Sequence, residues 1–207
     1  MKRFITILLI ITLCVGLCTF SNACQRIINN NDDNKNERPE KPTLDSLDLS
    51  EYIKLGQYKG LTVEMPTEDS RGDTIWEIVL ENSEVLAYPE GLAEYYEEQE
   101  KALYRSMSNS NMSYEEVLAT LNTSEEEIVE NSKKRAKEDL VLAAIGAAEG
   151  ITLTEENINE LFDDYVAKYA EFGYTEHYVR ERLYDEVIST MLHDKTIEFL
   201  IINNKFE

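Results

Sequence analysis

Cysteine is scarce in this chain of 207 residues, and the places where it occurs matter more than its number. Cys14 and Cys18 lie inside an apolar stretch from Phe4 to Phe20, so a chain beginning at Cys24 carries a single thiol and no intrachain disulfide. Histidine is scarcer still. His177 and His193 stand far apart, neither in a metal-ligand spacing such as HExxH, and both read as exposed helix residues, so no metal site is expected. Glycines are few, and Gly56 and Gly60 are too isolated to form a phosphate-cradling loop; a nucleophile elbow and a thiol–histidine pair are missing as well. Catalytic residues, cofactors and metals are therefore all expected to be none. Positive charge is deficient too: 20 Lys and Arg face 41 Asp and Glu, for a net charge of −21. Such a surface repels nucleic acid and anionic headgroups, and it reads as solubility and self-repulsion in preference to an acidic site for a basic partner. Acidic runs such as Asp163-Asp164 and Glu125-Glu126-Glu127 read the same way, as solvated faces or charges at helix starts.

What is present begins at the N-terminus. Lys2 and Arg3 precede the apolar stretch, Ser21-Asn22-Ala23-Cys24 follows it, and the chain turns polar at Gln25, which is the layout of a secretory signal over residues 1–23. The apolar run is nearly long enough to span a bilayer, but no cationic stop follows it. The junction resembles a lipobox, the site at which bacterial lipoprotein precursors are acylated and cut. Ala23 and Cys24 match it, while Ser21 stands where Leu is usual and leaves ordinary cleavage after Ala23 open. Lipidation at Cys24 would anchor the protein to the extracytoplasmic face of the cell membrane through its N-terminal acyl chains. Two or three chains, at about 0.8 kcal/mol per buried methylene, hold stably where one is marginal. Loss of Lys2 and Arg3 takes the net charge from −21 to −23. Residues 24–50 are rich in Asn, Asp, Lys, Glu and Pro and are expected to form a disordered tether.

From Glu51 the remainder is the size of one domain. Residues 51–72 are expected to hold a short extended segment and linker, with alternating Leu61, Val63 and Met65. Residues 73–207 read as helix throughout. Ile75, Trp76, Val79 and Leu80 share one face of a helix ending near Val85, and Pro89 stands as a first helical residue before Leu92, Tyr95 and Tyr96. Ser113 with Glu116, and Ser124 with Glu127, are capping boxes, and Gly150 is a stop. Thr154 opens a helix interrupted at Gly173, and Thr175 starts a last one that fades after Ile202. The expected fold is mostly α: an elongated multi-helix module with helical-hairpin arms. Met107 and Met112 flank one polar turn; Phe172, Tyr174 and Tyr178 surround another. Methionine adapts to irregular apolar surfaces and aromatics offer large contact area, so these five are candidate contacts for bound polypeptides, or else they pack the hairpin ends.

Several of these segments, in order, resemble the trigger factor family. Tyr52-Ile53-Lys54-Leu55-Gly56-Gln57-Tyr58-Lys59-Gly60-Leu61-Thr62-Val63 looks like the strand leading out of its ribosome-binding domain. Trp76-Glu77 through Tyr88-Pro89-Glu90 resembles the start of its helical C-terminal domain, and Ala136 to Gly150 followed by Ile151-Thr152-Leu153-Thr154-Glu155-Glu156 resembles the later arm. The resemblance implies a module that holds unfolded or newly exported polypeptides. It does not carry over ribosome docking, because a signal and tether replace the basic docking region. Nor does it carry over prolyl isomerase activity, because only Pro66 to Gly72 stand where that domain would be inserted. The expected protein is thus a non-catalytic, membrane-anchored chaperone or foldase-like lipoprotein. Two alternatives are a lipoprotein binding one folded envelope partner and a degenerate isomerase relative.

Overall fold

A computed structural model describes residues 40–64, 70–109, 111–171 and 173–207. The expected signal sequence, residues 24–39 of the expected tether with Cys24, and Phe172 lie outside the described residues, whereas residues 40–50 of that tether depart from the expectation of disorder, with half-buried leucines and a 3-10 turn at Leu49–Glu51. In chain order the elements are β1 (Ile53–Lys54), β2 (Thr62–Val63), α1 (Arg71–Asn82), β3 (Glu84–Val85), α2 (Leu92–Met107), α3 (Tyr114–Thr120), α4 (Glu125–Glu149), α5 (Glu155–Glu171), α6 (Glu176–Arg182), α7 (Tyr184–Ile202) and β4 (Lys205–Phe206). The protein is mostly helical, as the apolar periodicity implies. Its described residues divide into two compact units, one made of residues 40–56 and 80–144, the other of 57–79 and 145–207.

In the first unit β1 pairs antiparallel with β3, Ile53 opposite Val85 and Lys54 opposite Glu84. Gly56 follows at a place with no room for a side chain: a Cβ there would lie 2.0 Å from the Asn82 carbonyl oxygen. The helix expected to run to Val85 therefore stops at Asn82, and the next residues join a strand pair instead. Pro89 does not open α2 either. Gly91, at φ +80°, turns the chain first, and Leu92 is the first helical residue. The capping box of α3 is complete, Ser113 Oγ accepting the Glu116 N–H at 3.3 Å and Glu116 Oε2 accepting the Ser113 N–H at 2.8 Å. Ser124 Oγ likewise accepts the Glu127 N–H, at 3.2 Å, at the start of α4. Leu92, Tyr96, Val117, Leu118, Ile128, Ala136, Leu140 and Val141 are buried here, and Ser132 joins them because its hydroxyl donates to the Ile128 carbonyl at 2.7 Å.

The second unit has its own core, with Phe162, Tyr165, Val179, Val187 and Met191 as its buried centre. Gly150, at φ +66°, ends α4 as its sequence position suggests, and Ile151 N–H returns to the Gly146 carbonyl at 2.9 Å. Thr154 and Thr175 cap α5 and α6, accepting the N–H groups of Asn157 and Tyr178 at 3.2 Å each. One helix from Thr175 to Ile202 is not what forms: Leu183, at φ −115° and ψ 9°, closes α6 and opens α7. Val179 and Val187 would point about 80° apart on a continuous helix. With the chain turned at Leu183, both are fully buried in one cluster.

β4 was not foreseen. It pairs parallel with β2, Thr62 opposite Lys205 and Val63 opposite Phe206. Asn204 fastens the pair at its start: its amide nitrogen donates to the carbonyls of Tyr58 (3.0 Å) and Leu200 (2.7 Å), and its oxygen accepts the Leu61 N–H at 2.7 Å. Among the described residues no helix is long and apolar enough to cross a membrane.

Candidate functional site

Met107 closes α2 and is half-buried; Met112 stands beyond the turn, 38 % exposed. The turn is drawn tight by reciprocal backbone bonds between Asn109 and Met112, at 2.9 and 3.2 Å. Met112 lines an open depression of about 380 Å³ with Asn111, Glu116, Ala119 and Thr120; Met107 is not in its wall. Behind the turn, α2, α3 and the start of α4 meet on one carboxylate. Glu125 accepts Lys101 Nζ at 2.8 Å and the Tyr114 hydroxyl at 2.7 Å. These two bonds hold its carboxyl below the usual range. Burial and the bond to Glu125 push the Tyr114 phenol up to about 12. The acidic run that reads as a solvated helix start thus serves in part as a joint between helices.

The second expected contact region lies at Gly173, in the other unit. Tyr169, Tyr174 and Tyr178 form a run of rings, the first pair edge-to-face at 5.7 Å between centroids and the second stacked at 5.5 Å. Tyr174 packs against the Phe162–Tyr165–Val179 core, so part of its surface is structural. Tyr178 is half-buried at the end of the run.

The two histidines differ. His177 is well exposed beside Glu181, at 3.3 Å, whereas His193 lies edge-on to the buried Trp76 ring at 5.1 Å and is not a plain surface residue. Its neighbour Asp194 accepts the Tyr165 hydroxyl at 2.8 Å. Burial would raise the Asp194 carboxyl, but the His193 imidazole 3.8 Å away and the bond from Tyr165 outweigh it and hold the group below its usual range. Among the described residues no three His, Cys, Asp or Glu side chains are placed to hold a metal ion.

A third place escaped sequence reasoning. Tyr96, on α2 and 7 % exposed, donates its hydroxyl to Asp139 on α4, and Lys41 reaches the same carboxylate oxygen at 2.9 Å. Arg135 lies over the Tyr96 ring at 4.3 Å and Lys41 at 5.5 Å. Burial first, then the charge and hydrogen bond of Asp139, push the Tyr96 phenol far above its ordinary range. Arg135 and Asp139, four residues apart on one helix face, were a readable signal. Lys41 was not, since it belongs to the segment read as tether.

The family described as the bacterial trigger factor protein C-terminus has a model that matches residues 64–202, a span that takes in all of α1 to α7. No curated protein and no solved structure matches the chain.

Proposed function

The chain belongs to the trigger factor family by its C-terminal domain, and from that premise we propose a membrane-tethered extracytoplasmic chaperone that binds unfolded or newly exported polypeptides without catalysis. The observation that carries this reading is the family match across the whole helical part. The site chemistry agrees with it. Met112 beside an open depression and the tyrosine run at Gly173 offer apolar contact without a fixed pattern of polar partners, which suits many sequences. Each well-buried large side chain of a client would contribute about 1.5 to 3 kcal/mol. Seven residues, 64–70, separate β2 from α1, too few for an inserted isomerase domain. Lys2-Arg3, the apolar run and Ala23-Cys24 support the tether.

The test uses the mature chain from residue 24 with Cys24→Ser to keep it soluble. Added near stoichiometry to a model protein diluted from denaturant, it is expected to lower light scattering. No effect on several unrelated unfolded proteins, together with a one-to-one complex with a single folded envelope protein, would replace this reading with that of a dedicated interaction lipoprotein.

A further inference from the structure

Residues 40–48 form no regular element before the 3-10 turn at Leu49–Glu51, yet they do not hang free of the first unit. Pro42, Leu44, Leu47 and Leu49 are half-buried, and the polar residues among them are exposed. Lys41 bonds Asp139 at 2.9 Å and lies over Tyr96. Pro42 lies beside Gly91 at the start of α2, where a Cβ would be in van der Waals contact with the proline ring at 3.5 Å. An irregular segment is thus held to α2 and α4 by one cation and a proline ring, and its further aliphatic groups, two or three residues apart, are half-buried. Main-chain pairing in a strand or helix contributes nothing to it.

That is how an unfolded polypeptide would be held. We infer that the surface around Tyr96, Arg135 and Asp139 is a polypeptide-binding site. Its ligand is an extended segment with a lysine followed by proline or aliphatic residues at two- to three-residue spacing, and residues 40–49 occupy it in cis. The chemistry on each side corresponds. Asp139, with 13 % of its side chain exposed, accepts the ammonium, the Tyr96 face adds cation–π attraction, and the backbone at Gly91 lies beside the proline ring. Because the cis segment is joined to β1 a few residues on, its effective concentration is high, and a client of the same pattern gains access only by displacing it. The inference rests on the chaperone reading and specifies one of its client sites.

A fluorescent peptide of residues 40–50 serves as the probe, read by anisotropy against two soluble mature chains that both carry Cys24→Ser. One is otherwise unaltered; the other also carries Lys41→Ser, Pro42→Ser and Leu44→Ser, which loosen the cis segment. The loosened chain is expected to bind the peptide about tenfold more tightly, and Asp139→Asn added to it should abolish the gain. Equal affinity, with helical content and melting unchanged, would overturn the inference and leave residues 40–49 as an ordinary part of the fold. Should the triple variant unfold, Lys41→Gln alone removes the ion pair from a side chain already one-third exposed. A gain of about threefold then supports the site, and none overturns it. Peptide binding without suppression of aggregation by either chain would sink the chaperone reading and spare the site. Equal suppression by both chains without peptide binding would do the reverse.

Discussion

Gly56 shows how a single atom can decide a turn. A methyl group 2.0 Å from the Asn82 carbonyl oxygen cannot be absorbed by a flexible side chain, because the obstacle is backbone. Gly56→Ala is expected to lower unfolding free energy by about 1 to 3 kcal/mol, measured by urea denaturation. Tyrosine titration is a second readout at this scale. Tyr58, which donates to Glu149 at 2.6 Å, and Tyr104, which donates to Glu100 at 2.9 Å, are both pushed up to about 12, first by burial and then by their carboxylate partners. Tyr114 behaves alike. A phenol whose folded pKa exceeds its unfolded value of about 10 stabilises the protein fully below that pH, and the contribution disappears as pH rises toward 12. Tyrosinate absorbance should therefore develop in two steps, the later one concerted with loss of helical circular dichroism. A single transition near the ordinary value would show that these hydroxyls are solvated.

At the scale of elements, the two expected contact regions should separate under mutation. Met107→Ser with Met112→Ser removes groups at a turn and is expected to weaken aggregation suppression, with little change in melting temperature. Tyr174→Ser removes a ring packed on the second unit's core and should cost stability, on the order of 1 to 3 kcal/mol, whatever it does to clients. Unchanged suppression by the Met variant would place the client surface elsewhere on the helices. Features carried by a few neighbouring residues were legible beforehand: the Ser113–Glu116 box, the stop at Gly150, the caps at Thr154 and Thr175, and the apolar faces of α1 and α5. Features that depend on a distant partner were not. β4 is two residues long, too short to show a period, and exists because β2 and Asn204 meet it. The break at Leu183 arises from the shared burial of Val179 and Val187, which a helical stripe of similar residues conceals. For the site, residue type pointed to Met112 and Tyr174, but the Tyr96–Asp139–Lys41 contact joins three segments whose separations exclude local reasoning.

At the scale of the molecule, the proposed membrane tether rests on Cys24. Cys24→Ser in the full-length chain is expected to release the protein into the aqueous phase on detergent partitioning or to leave it as precursor. Normal mature size with unchanged detergent partitioning would argue against acylation there. Its own assembly poses the protein a related problem. The unit holding residues 57–79 and 145–207 is interrupted in sequence by most of the other unit, and β2 waits for β4, whose partner residues Lys205 and Phe206 are made more than a hundred residues later. A chain that emerges from its N-terminus therefore exposes β2 and the apolar face of α1 for nearly the whole of its passage. Until Asn204 arrives to take the Leu61 amide, the protein is itself an unfinished polypeptide with open strand and open helix face.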